Sequence, residues 1–368
     1  MSTFFEKFRR VTASTNYQPE IDGLRFVALF MVVAFMHIPR YINQIFHDNT
    51  WVKSFYWRTF LTNGGNGVLL FFVISGFILS LPFAQMYLRK EKPVNLRWYY
   101  LRRLTRLEPP YLIVLTVLFV AEVFLIKKYD FGEALPHYLA SVFYIHNFVY
   151  KEASTILPLA WSLEVEVQFY VVAPLLFLIF LVRKAAVRRL IMALIIIAGL
   201  YYWYNDWGFP HLLKYLHFFF AGIFFADLYV SAPGFQLKNK TFFFIGLLSL
   251  VGLIFFNSLM GFGYYLLKMG CMFLFFISVL FNLKMKSLFS KTFLIVVGGM
   301  CYSIYMLHQA IVSFFGKLIM KLGIDYTNTN YIPAFMLFFL FVVLVLSSLY
   351  FLVVEKPFMK FNSRKASI

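Results

Sequence analysis

Residues 20–38 read EIDGLRFVALFMVVAFMHI. A helix needs roughly 20 predominantly apolar residues to cross the hydrocarbon core of a bilayer, and this run supplies them. It also carries Arg25 near its start and His37 near its end. Ionisable side chains at membrane depth are costly and usually face a functional interior. The segment therefore reads as a transmembrane helix that also marks where chemistry resides. At about 1.5 Å rise per residue, His37 lies about 18 Å further along the helix than Arg25. Arg25 is close enough to the helix start to extend its guanidinium to the interface as an anchor. His37 is deeper, and its imidazole needs a partner.

Composition extends this reading to the whole chain. Of 368 residues, 61% are hydrophobic and only 14% charged, too few polar groups to cover a water-soluble domain. Ten apolar runs are predicted as spans, near residues 21–43, 66–87, 109–126, 160–182, 187–204, 211–230, 241–257, 264–283, 293–320 and 332–354. The expected fold is all-α and polytopic, with a short N-terminal segment (1–20), one membrane domain (21–358) and a short tail (359–368). Between the third and fourth runs, Tyr138 to Phe148 is apolar but too short to span, and is expected to lie at the outer interface or re-enter.

Of the 34 Lys and Arg residues, 23 fall in the N-terminus, the even-numbered loops and the tail. Positive short loops stay cytoplasmic, so both termini are expected on that side of a cell inner or plasma membrane. The net charge of +18 is then a topology signal and gives no reason to invoke nucleic acid. The first run is too long for a signal peptide and no small-residue cleavage site follows it. Cys271 and Cys301 fall within predicted spans, which argues against a disulfide framework. The histidines His47, His137, His146, His211 and His217 lack metal-ligand spacing and read as structural or interfacial, so no metal is expected.

Three further stretches carry candidate chemistry. In RRLTRLEPPYL, Arg102, Arg103 and Arg106 stand before the third predicted span, with Arg103 and Arg106 on one helical face. They are either positive-inside anchors or an anion site, since guanidinium groups bind phosphate bidentately. In WSLEVEVQFYVVAP, Glu164 and Glu166 lie about 200° apart around a helix and so face different surroundings. One is expected to be a wetted helix-end carboxylate and Glu166 the deeper one, with Tyr170 a hydrogen-bonding neighbour at i+4. In CYSIYMLHQAI, Tyr302, Ser303, Tyr305 and His308 form a polar stripe that a lipid-facing helix would not carry. His37 is either a satisfied core histidine or a base or nucleophile, the role to which imidazole is most readily tuned near neutral pH.

In order, IDGLRFVAL, NGVLLFFVISGF, RRLTRLEPPYL, WSLEVEVQFY, CYSIYMLHQ and EKPF resemble the signature blocks of acyltransferase family 3, over about residues 20–358. These are membrane O-acyltransferases acting on bacterial surface polysaccharides, lipopolysaccharide, peptidoglycan and some lipids or antibiotics. The resemblance implies transfer of an acyl group, most often acetyl, from cytoplasmic acyl-CoA to a hydroxyl at or beyond the outer face. It assigns Arg25 and His37 to the arginine and histidine of the first helix, Arg103 and Arg106 to the basic pair, Glu166 to the acid of the WSLxVE block and His308 to the later histidine. Arg25, Arg103 and Arg106 would hold the coenzyme A phosphates. His37 would deprotonate the acceptor or carry the acyl group, with Glu166 orienting the imidazole or stabilising its cation. The acceptor would be a glycan or glycolipid. The family's extracellular esterase-like domain is expected to be missing, leaving transfer to the membrane domain or a separate extracytoplasmic partner.

Two departures stand out. Eleven residues separate Arg25 from His37 where the resembled block usually has ten, which moves the pair from about 20° to about 120° apart on a regular helix. Either a single-residue π-bulge restores the shared face, the outcome expected here, or the two residues serve separate sub-sites. Glu164 is an extra carboxylate near the acceptor entrance. A transporter or flippase with a buried Arg/His/Glu relay is the reading from another class, although no matched halves are visible.

Overall fold

In a computed structural model of the chain, residues 6–11, 17–46, 63–206, 208–255, 261–321 and 331–359 are described. His47 and residues 360–368 of the tail lie outside them. The described residues form helices, and no strand occurs among them. Among the described residues, nine helices are long and apolar enough to cross a membrane. The chain is therefore an all-α, multi-pass membrane protein. The seventh predicted span is a 16-residue helix, Lys240–Phe255.

The chain divides into two compact units, Met1–Phe71 with Gln236–Ile368, and Phe72–Phe235. In the first unit, α1 (Pro19–Ile45) is the central helix. Gly23 and Gly298 let it touch its neighbours at backbone distance. A Cβ at Gly23 would meet the Phe289 carbonyl oxygen at 2.0 Å, and one at Gly298 the Asp22 carbonyl oxygen at 1.8 Å. Around it lie α9 (Lys240–Phe255), α10 (Phe262–Phe281), α11 (Leu283–Phe289), α12 (Thr292–Gly299), α13 (Cys301–Met320) and α14 (Tyr331–Met359). α12 packs on α1, α9 on α10 and α13 on α14. Cys271 and Cys301 are both free thiols.

The second unit takes most of α2 (Asn66–Arg89), then α3 (Leu96–Leu125), α4 (Phe131–Val142), α5 (His146–Tyr150), α6 (Ala160–Leu181), α7 (Ala185–Asn205) and α8 (Leu212–Ser231). On α7 the exposed positions Val187, Leu190, Leu194, Ile197 and Tyr201 recur every three or four residues. An outward stripe made of apolar side chains is what lipid contact selects and water does not. At the ends of α7 and α8, buried Asp227 accepts from Arg188 at 2.6 Å and Arg189 at 2.7 Å. α2 and α8 cross in backbone contact, since a Cβ at Gly222 would lie 2.1 Å from the Val73 carbonyl oxygen. α4 folds back along α3: Tyr138 meets Thr116 at 2.9 Å, and Tyr111 donates to the Ser141 carbonyl at 2.8 Å.

Two helix boundaries differ from expectation. α3 begins at Leu96, so Arg102, Arg103 and Arg106 lie within it and not before it. Its start is set by Asn95, whose side chain accepts from the Trp98 N–H at 3.2 Å, an N-cap; Pro109 and Pro110 sit in its interior. The predicted span 293–320 is two helices that break at Met300, after Gly298 and Gly299. Close approach of Gly298 to α1 accompanies the break.

Candidate active site

The first long helix contains the expected irregularity. Val33–His37 is a π-helical turn, in which the Ile38 N–H reaches back five residues to the Val33 carbonyl. Pro39 follows within the next turn; it has no N–H to give the helix ladder. One extra residue in the turn offsets the extra residue between Arg25 and His37 and returns the pair to within about 20° of one another around α1.

His37 and His308 of α13 form a hydrogen-bonded pair. His37 Nδ1 and His308 Nε2 are 2.7 Å apart, with ring centroids at 4.7 Å. His308 is wholly buried. Its Nδ1 points at the carbonyls of Tyr305 (2.7 Å) and Ile304 (3.1 Å). A carbonyl only accepts, so Nδ1 of His308 carries the proton and, in the neutral ring, Nε2 is an acceptor. His37 must then donate from Nδ1. The lone pair of a neutral His37 is left on Nε2, which has no hydrogen-bond partner among the described residues. The backbone of α13 thus sets the tautomer of an imidazole on α1.

One turn earlier in α13, Ser303 is fully buried and gives both its N–H (3.2 Å) and its hydroxyl to Glu355. Glu355 ends a second π-turn, Phe351–Glu355, and lies in the EKPF block. Its carboxylate meets the N-terminus of α13, where free N–H groups and the helix dipole favour an anion. Tyr302 and Tyr305 are also buried, so the polar stripe faces inward.

Arg25 belongs to an ionic hub centred on Asp22. Buried Asp22 accepts from Arg25 Nη1 at 2.6 Å, Arg10 Nε at 2.8 Å and the Tyr17 hydroxyl at 2.7 Å. Burial and the Asp22 carboxylate push the Tyr17 phenol up, which keeps it a neutral donor. Two guanidinium groups thus share this one carboxylate, and buried Glu20 at the same end of α1 pairs with Lys286 at 2.8 Å.

The second unit holds Arg103, Arg106, Tyr170 and Glu166 together. The Arg103 guanidinium lies over the Tyr99 ring at 3.8 Å and donates to the Tyr99 carbonyl at 2.7 Å. Tyr170 hydrogen-bonds Glu166 and lies within the electrostatic reach of Arg103 and Arg106. Glu166 also accepts from the Ser75 hydroxyl on α2. The buried Nε of Arg103 and of Arg106 has no hydrogen-bond partner among the described residues, so each retains a donor for an anion. Arg102 is exposed and stands apart from this network.

Of the two carboxylates of α6, Glu164 is the one packed inside the protein. Glu164 is fully buried while Glu166 is partly exposed. Glu164 accepts the Asn147 N–H at 2.8 Å, and the backbone of His146 bonds it too, so it caps the start of α5 and is not a wetted helix end. The carboxylates face different partners, as their angular separation requires. Sequence reasoning passed over Asp22, Ser75 and Glu355. Asp22 was visible as the i−3 neighbour of Arg25, and Glu355 as an acid inside an apolar run. Ser75 gave no signal, because its partner is 91 residues away.

Each unit thus carries its own set of buried polar groups inside an all-α, multi-pass membrane protein: the imidazole pair and the Asp22 hub in the first, Arg103, Arg106, Tyr170 and Glu166 in the second. The acyltransferase domain family matches residues 18–352, and the chain belongs to that family. A "Putative O-acetyltransferase" of Staphylococcus aureus strain MSSA476 is 26% identical over a 391-residue alignment, covering 97% of this chain and 59% of the relative. The peptidoglycan O-acetyltransferase OatA of Listeria monocytogenes serovar 1/2a is 30% identical over 206 residues, 52% of this chain and 29% of that protein. The O-acetyltransferase OatA of Staphylococcus aureus strain NCTC 8325 is 31% identical over 194 residues, 50% of this chain and 28% of that protein. The chain thus spans about three fifths of the length of the first of these relatives. No solved structure matches it.

Proposed function

We propose that this protein is an O-acyltransferase of the cell inner or plasma membrane. It would take an acyl group, most often acetyl, from cytoplasmic acyl-CoA and pass it to a hydroxyl of a surface glycan or glycolipid. The observation that carries the reading is the tautomer of His37, whose Nε2 lone pair is directed away from its partner and is available to a substrate. Family membership and the relatives' names support the reaction type.

In this reading Arg103 and Arg106 grip donor phosphates through their unspent N–H groups, and the stacked Tyr99 ring holds Arg103 in place. Arg25, held by Asp22, adds positive charge on the cytoplasmic side. His37 Nε2 either takes the proton of the acceptor hydroxyl or attacks the thioester carbon to carry the acyl group. In both cases the acyl C–S bond breaks and the thiolate leaves with the electron pair. The imidazolium that forms keeps its Nδ1–H bond to His308, which spreads the new charge toward the carbonyls of α13. Glu166 stays bound by Ser75 and Tyr170 as a fixed negative charge near the donor arginines.

Replacing Arg103 and Arg106 together by Gln tests the donor assignment. The double variant should raise the apparent KM for acyl-CoA and leave that for the acceptor unchanged, with added salt reproducing part of the effect on the wild type. An unchanged donor KM would return the two arginines to a topological role.

A further inference from the structure

Beyond His37, the last two turns of α1 have two unlike faces. Ile38, Pro39, Ile42 and Ile45 are buried. They pack toward α13 and α14, and the Phe46 ring that follows meets Phe335 of α14 at 5.8 Å. The other face carries Arg40, Asn43 and Gln44, all exposed. These stand three, six and seven residues after His37, so the four side chains share one side of the helix. At about 1.5 Å rise per residue the stripe runs about 10 Å from the imidazole. Arg40, Asn43 and Gln44 have no hydrogen-bond or ionic partner among the described residues. A guanidinium beside two amides is too costly to turn toward hydrocarbon, so the stripe lines a wetted approach to His37.

Charge says what that approach admits. Arg40 lies within the electrostatic reach of His37. His37 becomes a cation when it takes a proton or an acyl group, and a guanidinium one turn away repels that cation. No carboxylate among the described residues acts on either side chain. The missing negative charge therefore comes with a substrate. Arg103 and Arg106 already take the donor phosphates in the acyltransferase reading, which leaves the anion to the acceptor. A membrane anchor needs only a cation at this depth, on any side of the helix; Arg40 stands on the side of the base.

We propose that Arg40 binds an oxyanion, a carboxylate or a phosphate, carried by the acceptor close to the hydroxyl that receives the acyl group; this rests on the acyltransferase reading. Guanidinium can hold either anion through two parallel N–H bonds. The bound anion offsets the repulsion between Arg40 and the His37 cation, so acidic acceptors are selected over neutral ones. Asn43 and Gln44, each with donor and acceptor atoms, hold neighbouring hydroxyls.

Arg40→Gln and Arg40→Lys separate this role from anchoring. Proteoliposomes with each protein receive radiolabelled acetyl-CoA and a titration of the extracted native acceptors, at one ionic strength set with sodium chloride. Arg40→Gln should raise the apparent KM for acceptor about 10- to 150-fold, the range for losing a hydrogen bond to a charged group. The donor KM should not change, and kcat should move less than the acceptor KM, because Arg40 touches a part of the acceptor that does not react. Arg40→Lys keeps the charge and should fall between wild type and Gln. Sodium glucuronate or inorganic phosphate should compete with the acceptor for the wild type and no longer for Arg40→Gln, whereas glucose should compete with neither protein. Stronger competition by glucuronate marks a carboxylate, and by phosphate a phosphate. An unchanged acceptor KM in Arg40→Gln, or a rise with no competition by either anion, would overturn the proposal and leave acyl transfer standing. Poor membrane insertion as the only effect would make Arg40 an anchor and overturn it as well. A wild type that moves no label would remove the acyltransferase reading and this proposal with it.

Discussion

Replacement of His308 tests the imidazole relay at its supporting end. His308→Leu removes the acceptor for the His37 Nδ1–H, a bond of 2.7 Å inside the protein. Leaving a buried donor unpaired costs about 1–3 kcal/mol. That cost falls on the tautomer with its lone pair on Nε2, so His37 shifts toward the other tautomer or turns its ring. At about 1.36 kcal/mol per decade of rate, the loss in kcat is roughly 5- to 160-fold. Two polar replacements divide the possibilities. In His308→Gln the side-chain oxygen reaches the Nε2 position and accepts the His37 proton, so kcat should stay within about threefold of wild type. In His308→Asn the amide stays near the Tyr305 carbonyl and falls short of His37, so it should behave like Leu. The assay is kcat at saturating donor and acceptor in proteoliposomes, with thermal unfolding of each variant as the control for packing. Equal losses in the Gln and Asn variants, or an unaffected Leu variant, would refute the relay.

Deleting Val33 should convert the π-turn at Val33–His37 into regular helix while keeping Arg25 and His37 on one face; insertion and activity should survive, and loss of turnover without loss of folding would contradict the bulge as a one-residue insertion. Gly222→Ala should destabilise the α2–α8 crossing by about 1–3 kcal/mol or more, because the new methyl meets backbone atoms that cannot rotate away; an unchanged unfolding temperature would show that the helices are not in backbone contact. Glu164→Leu should strand the N–H groups at the start of α5 and raise hydrogen exchange there, whereas Glu164→Gln, which keeps an acceptor, should protect most of it; equal exchange in the two variants would remove the capping role.

Features with a short-range physical signature were legible in the sequence. The twelve-residue step from Arg25 to His37 is incompatible with a shared face on a regular helix, and the π-turn resolves it. The i+4 step from Glu166 to Tyr170 placed a donor beside a carboxylate, and they bond. Hydropathy located the spans because lipid tolerates apolar faces on both sides of a helix. It missed the early start of α3, where Trp, Tyr and Arg dilute the apolar signal, although Asn95 was readable as a cap. It also missed the break at Met300, since nothing in an apolar run reveals that Gly298 must touch the Asp22 carbonyl. The central pair was half visible. His308 stood out as polar in a membrane helix, but its partner lies 271 residues away, and no local pattern encodes such a distance. The burial of Glu164 was hidden for the same reason. Burial of Glu164 depends on α5, a five-residue helix too short to announce itself by periodicity.

Membranes containing wild-type protein or His37→Ala, incubated with radiolabelled acetyl-CoA and their native acceptors, give the most direct test of the central claim. Label should appear on acceptor hydroxyls with the wild type and be at least about 10²-fold lower with His37→Ala, at equal membrane insertion and equal acetyl-CoA affinity. A His37→Ala protein that transfers the acyl group at the wild-type rate would contradict it.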